Sequence, residues 1–152
     1  MSNRSAFVGE RNPYGGGQEY ALFPVPDHAT GARLMRALGI TRASYMTALD
    51  RYNLFSRATQ SAEVTSARVD ELLSRYEVVY ALGRSVHDSI VKRVRATTGE
   101  EVDRAWFSST RCGTCTVVVV PHPSGLNRLW NRADTASTLR QIVRSLSPEV
   151  YE

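Results

Sequence analysis

The sequence predicts a three-layer α/β/α fold around a central, mainly parallel four-stranded sheet. Two observations carry this reading. Four short apolar segments alternate with helical segments along the chain, the order that builds a parallel sheet with helices on its faces. The apolar segments lack a polar alternation, as expected for strands buried on both faces. A third observation bears on function: three of the four segments, those ending at Val8, Leu54 and Val120, run into polar or glycine-rich loops. In a parallel sheet those loops collect at one edge, where open α/β sheets bind their ligands.

The first strand is Ala6 to Gly9, "AFVG". The Gly- and Pro-rich stretch "GERNPYGGGQEYALFPVP" reads as loop. "HATGARLMRALG" is helical, with Leu34, Met35 and Leu38 on one face and Gly39 as its stop. "TRASYMTALD" is a second short helix capped by Thr41. "YNLF" is short enough for a buried strand. Helix returns from Ser61 to Ser74, with Val69, Leu72 and Leu73 inward. "EVVYALG" (Glu77 to Gly83) is a buried strand ending in glycine. "RSVHDSIVKRVRA" then places Val86, Ile90 and Val94 on one side of a helix. Thr116 to Val120 is the last strand, and Arg132 to Leu146 the last helix, with Leu139, Ile142, Val143 and Leu146 inward.

The chain of 152 residues suits one domain, 1–152, with 42% hydrophobic and 22% charged residues. No apolar run reaches the ~18 residues of a membrane span. The start "MSNRSAFVGE" lacks the apolar core of a signal peptide, so a cytoplasmic location is expected, with no membrane partner and a monomeric state. Cys112 and Cys115 form a lone "CGTC" pair. A zinc or iron–sulfur site needs about four ligands, so two reduced thiols are expected, without metal or cofactor. The net charge is +4, and Lys92 is the only lysine among 19 basic residues. An arginine-rich basic chain fits phosphate, which the guanidinium fork grips through two bonds.

At the strand ends the residues become recognisable. "FVGERNPYGGGQEYALFPVP" resembles the water-activating loop of the uracil-DNA glycosylase superfamily. "RYNLF" looks like its base-recognising strand end, and "VVYALGRSVHDSI" is similar to the strand and helix before its last motif. "HPSGLNR" resembles its His-Pro-Ser loop, with the ending seen in the mismatch-specific branch. The four segments fall in the family's order. The resemblance implies a four-stranded parallel sheet with DNA across its carboxyl-terminal edge, and base release as the activity.

Such an enzyme flips the base out of the stack, after which the sugar gains oxocarbenium character as the base leaves as an anion. His122 is the candidate donor to the base's O2, acting as an oxyanion donor does. The resemblance assigns Asn12 to the water; an amide orients water but cannot take its proton at neutral pH. One extra residue separates Gly9 from the Asn12-Pro13 pair relative to the family pattern, which makes Glu10 a competitor for that role. Tyr14 resembles the residue that screens the base's 5-position, and Phe23 the aromatic on which the base stacks. Asn53 would read the base edge, its amide offering a donor beside an acceptor. Ser124 and Gly125 would hold DNA phosphates. Leu126 would wedge into the gap left by the base. Asn127 and Arg128 would reach the opposite strand or its phosphates. His28 and His87 lack such surroundings and read as solvated or structural.

The expected function is a monofunctional glycosylase acting on uracil or a modified pyrimidine in DNA. Gly15, Gly16 and Gly17 would leave the pocket wall thin, which keeps a defence enzyme for bulky phage bases, such as glucosylated hydroxymethylcytosine, as an alternative. Asn12 in place of an aspartate keeps a non-catalytic DNA-binding relative as another.

Overall fold

A computed structural model describes residues 3–11, 17–56, 59–123 and 128–152. Strands β1 (Ser5–Gly9), β2 (Asp50–Asn53), β3 (Val78–Leu82), β4 (Ser109–Cys112) and β5 (Cys115–Val120) form one sheet in the order β2-β1-β3-β5-β4. The first four in that order run parallel, and β4 pairs antiparallel with β5. Helices α1 (Thr30–Leu38), α2 (Arg42–Thr47), α3 (Ala62–Arg75), α4 (Arg84–Thr98) and α5 (Ala133–Leu146) cover its two faces.

Alternation along each strand sorts the core into two layers. Ala6, Val8, Val79, Ala81 and Val117 pack with Val69 and Leu72 of α3 and Val86, Ile90 and Val94 of α4. Phe7, Val78, Tyr80, Leu82, Val118 and Val120 pack on the other side with Leu34 and Leu38 of α1, Tyr45 of α2, and Leu139 and Val143 of α5. Each buried Val, Leu, Ile or Phe among them contributes about 1.5–3 kcal/mol. Phe7 and Tyr80 stack across β1 and β3 at 4.4 Å.

Local chemistry sets the helix ends. Thr41 caps α2 by accepting from the Ser44 N–H at 3.1 Å, and Ser61 caps α3 from Val64 at 3.2 Å. Gly39 ends α1 in the left-handed region, at φ 70°, where its N–H closes on the carbonyls of Met35 and Arg36.

The four expected parallel strands are present, but the sheet has five strands. The edge strand β4 escapes sequence reading because "STRC" carries no apolar run, and only Cys112 of the four is buried. A two-residue turn joins β4 to β5 at the "CGTC" stretch, with Gly113 at φ 64°, a conformation such hairpin turns fill with glycine. β2 lies two residues earlier than "YNLF", at Asp50–Asn53, because its register is set by pairing Ala6 with Asp50 through Gly9 with Asn53. The second helix accordingly stops at Thr47 rather than running to Asp50.

At the amino-terminal end of the parallel strands the polar groups close on one another. The Ser147 hydroxyl lies 2.6 Å from that of Ser5 and 2.7 Å from that of Tyr80, all three buried. Arg4 pairs with Glu77 and Glu149 beside them.

Candidate functional site

The carboxyl-terminal ends of β1, β2, β3 and β5 meet at the opposite edge. Two backbone bonds extend the β1–β2 pairing beyond the strands: Leu54 N–H to Gly9 O at 2.9 Å and Phe55 N–H to Glu10 O at 2.8 Å. Glu10 therefore leaves β1 with its backbone held and its side chain exposed. Asn53 ends β2 and is buried. Gly9 sits below it: a Cβ there would lie 3.6 Å from Asn53 Oδ1 and 3.0 Å from Leu22 Cδ2.

His122 follows β5 after Pro121 and is half-buried. Gly83, at the end of β3, has φ 90°, and a Cβ at that position would stand 3.3 Å from the Cβ of His122. Its N–H bonds Val120 O at 2.8 Å, which holds the β3 exit against the β5 exit. A side chain at 83 would be strained and would press on His122. Burial lowers the His122 pKa, and the negative charge of Glu10 partly opposes that shift. The ring is thus neutral at neutral pH, with one N–H donor. Across the exit from β5, the Trp130 indole donates to Pro121 O at 3.0 Å. On the other side Arg84 lies over the Trp106 ring at 3.9 Å.

Phe23 is half-buried on a loop tied down at several points. Tyr45 Oη donates to Leu22 O at 2.7 Å, and Arg51 Nη1 to Ala21 O at 3.1 Å. Gly31 of α1 lies so close that a Cβ would fall 2.0 Å from Leu22 O and 2.4 Å from Phe23 O. Tyr20 meets Phe23 edge-on at 5.6 Å.

The structure thus brings Glu10, Phe23, Asn53 and His122 to the strand-end edge. Arg128 is exposed at the start of a 3₁₀ turn, Arg128–Asn131. Asn12, Tyr14, Gly15, Gly16, Ser124, Gly125, Leu126 and Asn127 lie outside the described residues. His87 is structural: it is 1% exposed in α4, burial lowers its pKa, and neither ring nitrogen has a hydrogen-bond partner among the described residues. His28 is exposed. Cys112 and Cys115 are free and buried, and burial pushes the Cys115 thiol up to about 12, so both are protonated at neutral pH. Among the described residues no three His, Cys, Asp or Glu side chains gather as metal ligands would.

The family model described as the uracil DNA glycosylase superfamily matches residues 3–147. The chain belongs to that superfamily. No curated protein matches it. The uracil DNA glycosylase superfamily acts on DNA, and membership supports a DNA glycosylase-type function. No helix among the described residues is long and apolar enough to cross a membrane.

Two residues of this edge went unassigned in the sequence. Gly83 reads there only as a strand terminator; its contact with His122 depends on β3 and β5 being neighbours. Gln18 sits in an unstructured-looking "GGGQEY" run, and its bonds reach 35 residues along the chain.

Proposed function

We propose that the protein is a monofunctional DNA glycosylase that hydrolyses the N-glycosidic bond of a flipped pyrimidine-type base. The observation that carries this reading is His122: a neutral, half-buried imidazole at the sheet edge, backed by Gly83 and close enough to Glu10 to feel its charge. A neutral ring can donate to the base's O2 as negative charge gathers there, without the desolvation cost of burying a second charge. The bond between the sugar's C1′ and the base nitrogen breaks with its electron pair going to the base. A water oxygen bonds to C1′, and the water's proton leaves to bulk solvent or to the departing base.

Phe23 offers a face for the base to stack on, and Asn53 an amide for its polar edge. Asn12 orients the water, and the negative charge of Glu10 raises the His122 pKa against the effect of burial. Ser124, Gly125, Leu126, Asn127 and Arg128 supply the phosphate contacts and the wedge. Uracil is the first candidate base, and a 5-modified pyrimidine the second, which would place the enzyme in defence against phage DNA.

The test is base release from oligonucleotides carrying uracil, mismatched thymine, hydroxymethylcytosine or its glucosylated form, read as strand cleavage after alkali. Release of at least one base is expected. Release of none, with DNA still bound, would leave a DNA-binding relative without the chemistry.

A further inference from the structure

We propose that Gln18 is a positioning residue that sets base selectivity by fixing Asn53. Its side-chain amide makes two hydrogen bonds to one residue: Nε2 donates to Asn53 O at 2.9 Å, and Oε1 accepts from Asn53 N–H at 2.9 Å. The reason lies in the sheet. β2 is an edge strand, and in a parallel ladder successive residues turn their backbone groups to opposite sides. The N–H and C=O of Asn53 both bond Gln18, on the edge of β2 where no further strand pairs among the described residues. Gln18 takes the place of the missing strand for this one residue.

Position and direction are thereby fixed at the end of β2. Asn53 is only 5% exposed, and its Oδ1 lies above Gly9. Gln18 also opens the 3₁₀ turn Gln18–Tyr20, which leads into the segment carrying Phe23. One amide thus joins the strand end that would read the base edge to the loop that would support its face. A shift of Asn53 would misplace a donor and an acceptor together, so selectivity between bases should suffer more than overall binding. The inference rests on the reading of Asn53 as the residue facing the base.

The experiment is a double-mutant cycle with Gln18→Met, which keeps the stem but removes both bonds, and Asn53→Ala. Affinities are measured for duplexes carrying non-hydrolysable 2′-fluoro nucleotides with different pyrimidines, and for one carrying an abasic analogue that has no base to read. Binding is used so that absence of base release does not decide the outcome. Gln18→Met should reduce the ratio of affinities between the best base and the next by roughly tenfold, the weight of one to two hydrogen bonds. Affinity for the abasic duplex should stay within about twofold, since one lost hydrogen bond at the base already exceeds that factor. In the Asn53→Ala background the same substitution should leave the ratio unchanged. An unchanged ratio for Gln18→Met alone, or an equal loss in both backgrounds, overturns the proposal. If Asn53→Ala itself leaves the ratio intact, Asn53 does not face the base, and the assignment of both residues falls. Gln18 is exposed, so Gln18→Met should fold; a loss spread equally over abasic and base-bearing duplexes marks a general structural role and also overturns it.

Discussion

At the amino-terminal end of the sheet, Ser5, Tyr80 and Ser147 satisfy one another's buried hydroxyls within 2.6 and 2.7 Å, and Arg4 bridges Glu77 and Glu149. At the carboxyl-terminal end, Glu10 is exposed, His122 is half-buried, and the backbone is held mainly by bonds between loops and strand ends. The same strands supply both ends. One end joins its polar groups to one another and to the segment after α5, whereas the other leaves Glu10 exposed and His122 half-buried. The difference separates residues whose loss should cost folding from residues whose loss should cost chemistry.

His122→Ala should have the largest effect. Losing one donor to a developing oxyanion costs ~3–4 kcal/mol of barrier, or about 10²–10³-fold in rate. Single-turnover base release should fall by that factor while duplex affinity persists. A rate within threefold of the parent would remove His122 from the reaction.

Ser147→Ala probes the other end. It removes the shared partner of two buried hydroxyls, at a cost of about 1–3 kcal/mol in stability. Urea unfolding should report that loss, with base release per folded molecule unchanged. A change in release without a change in stability would break the division between the two ends.

Glu10→Gln sharpens the site itself. Burial lowers the His122 pKa and Glu10 raises it, so removing the charge should lower it further. The acid limb of the pH–rate profile should move to lower pH, with the plateau little affected. A plateau loss of ~10²-fold would instead transfer water activation to Glu10.

The smallest effect is expected from His87→Leu. The native His87 stays neutral below the ordinary value of about 6.5. The unfolded chain takes up that proton first, so stability is full above about pH 6.5 and falls as pH drops through the lowered native value. Leucine removes this group's share of the slope and leaves two unpartnered nitrogens out of the core. Stability at pH 7.5 should not fall, since no hydrogen bond is lost and unpaired polar atoms leave the core. The drop between pH 7.5 and 5.5 should shrink, and an unchanged drop would assign the acid sensitivity elsewhere.

Much of this contrast was legible in the sequence. Val-rich strands announce burial on both faces, and helices with Leu, Ile and Val at three- and four-residue spacing announce what covers them. His122 and Asn53 could be placed at one edge because alternating strands and helices imply parallel strands, whose carboxyl ends gather on one side. β4 could not, since a polar edge strand looks like loop until it finds its partner. Neither could the Gln18 clamp, because a side chain bonding a distant backbone leaves no periodic trace. The shift of β2 by two residues has the same origin: pairing with β1 decided the boundary, and the apolar "LF" that suggested the strand lies just beyond it.

The segment around Phe23 carries one more consequence. Tyr45 of α2, Arg51 of β2 and the bare backbone of Gly31 in α1 hold Ala21, Leu22 and Phe23 in place. Ordering a residue's backbone costs about 1–2 kcal/mol in conformational entropy. Here that ordering is completed when the chain folds. A molecule docking against Phe23 meets a wall already in its final shape and keeps more of its contact energy as affinity.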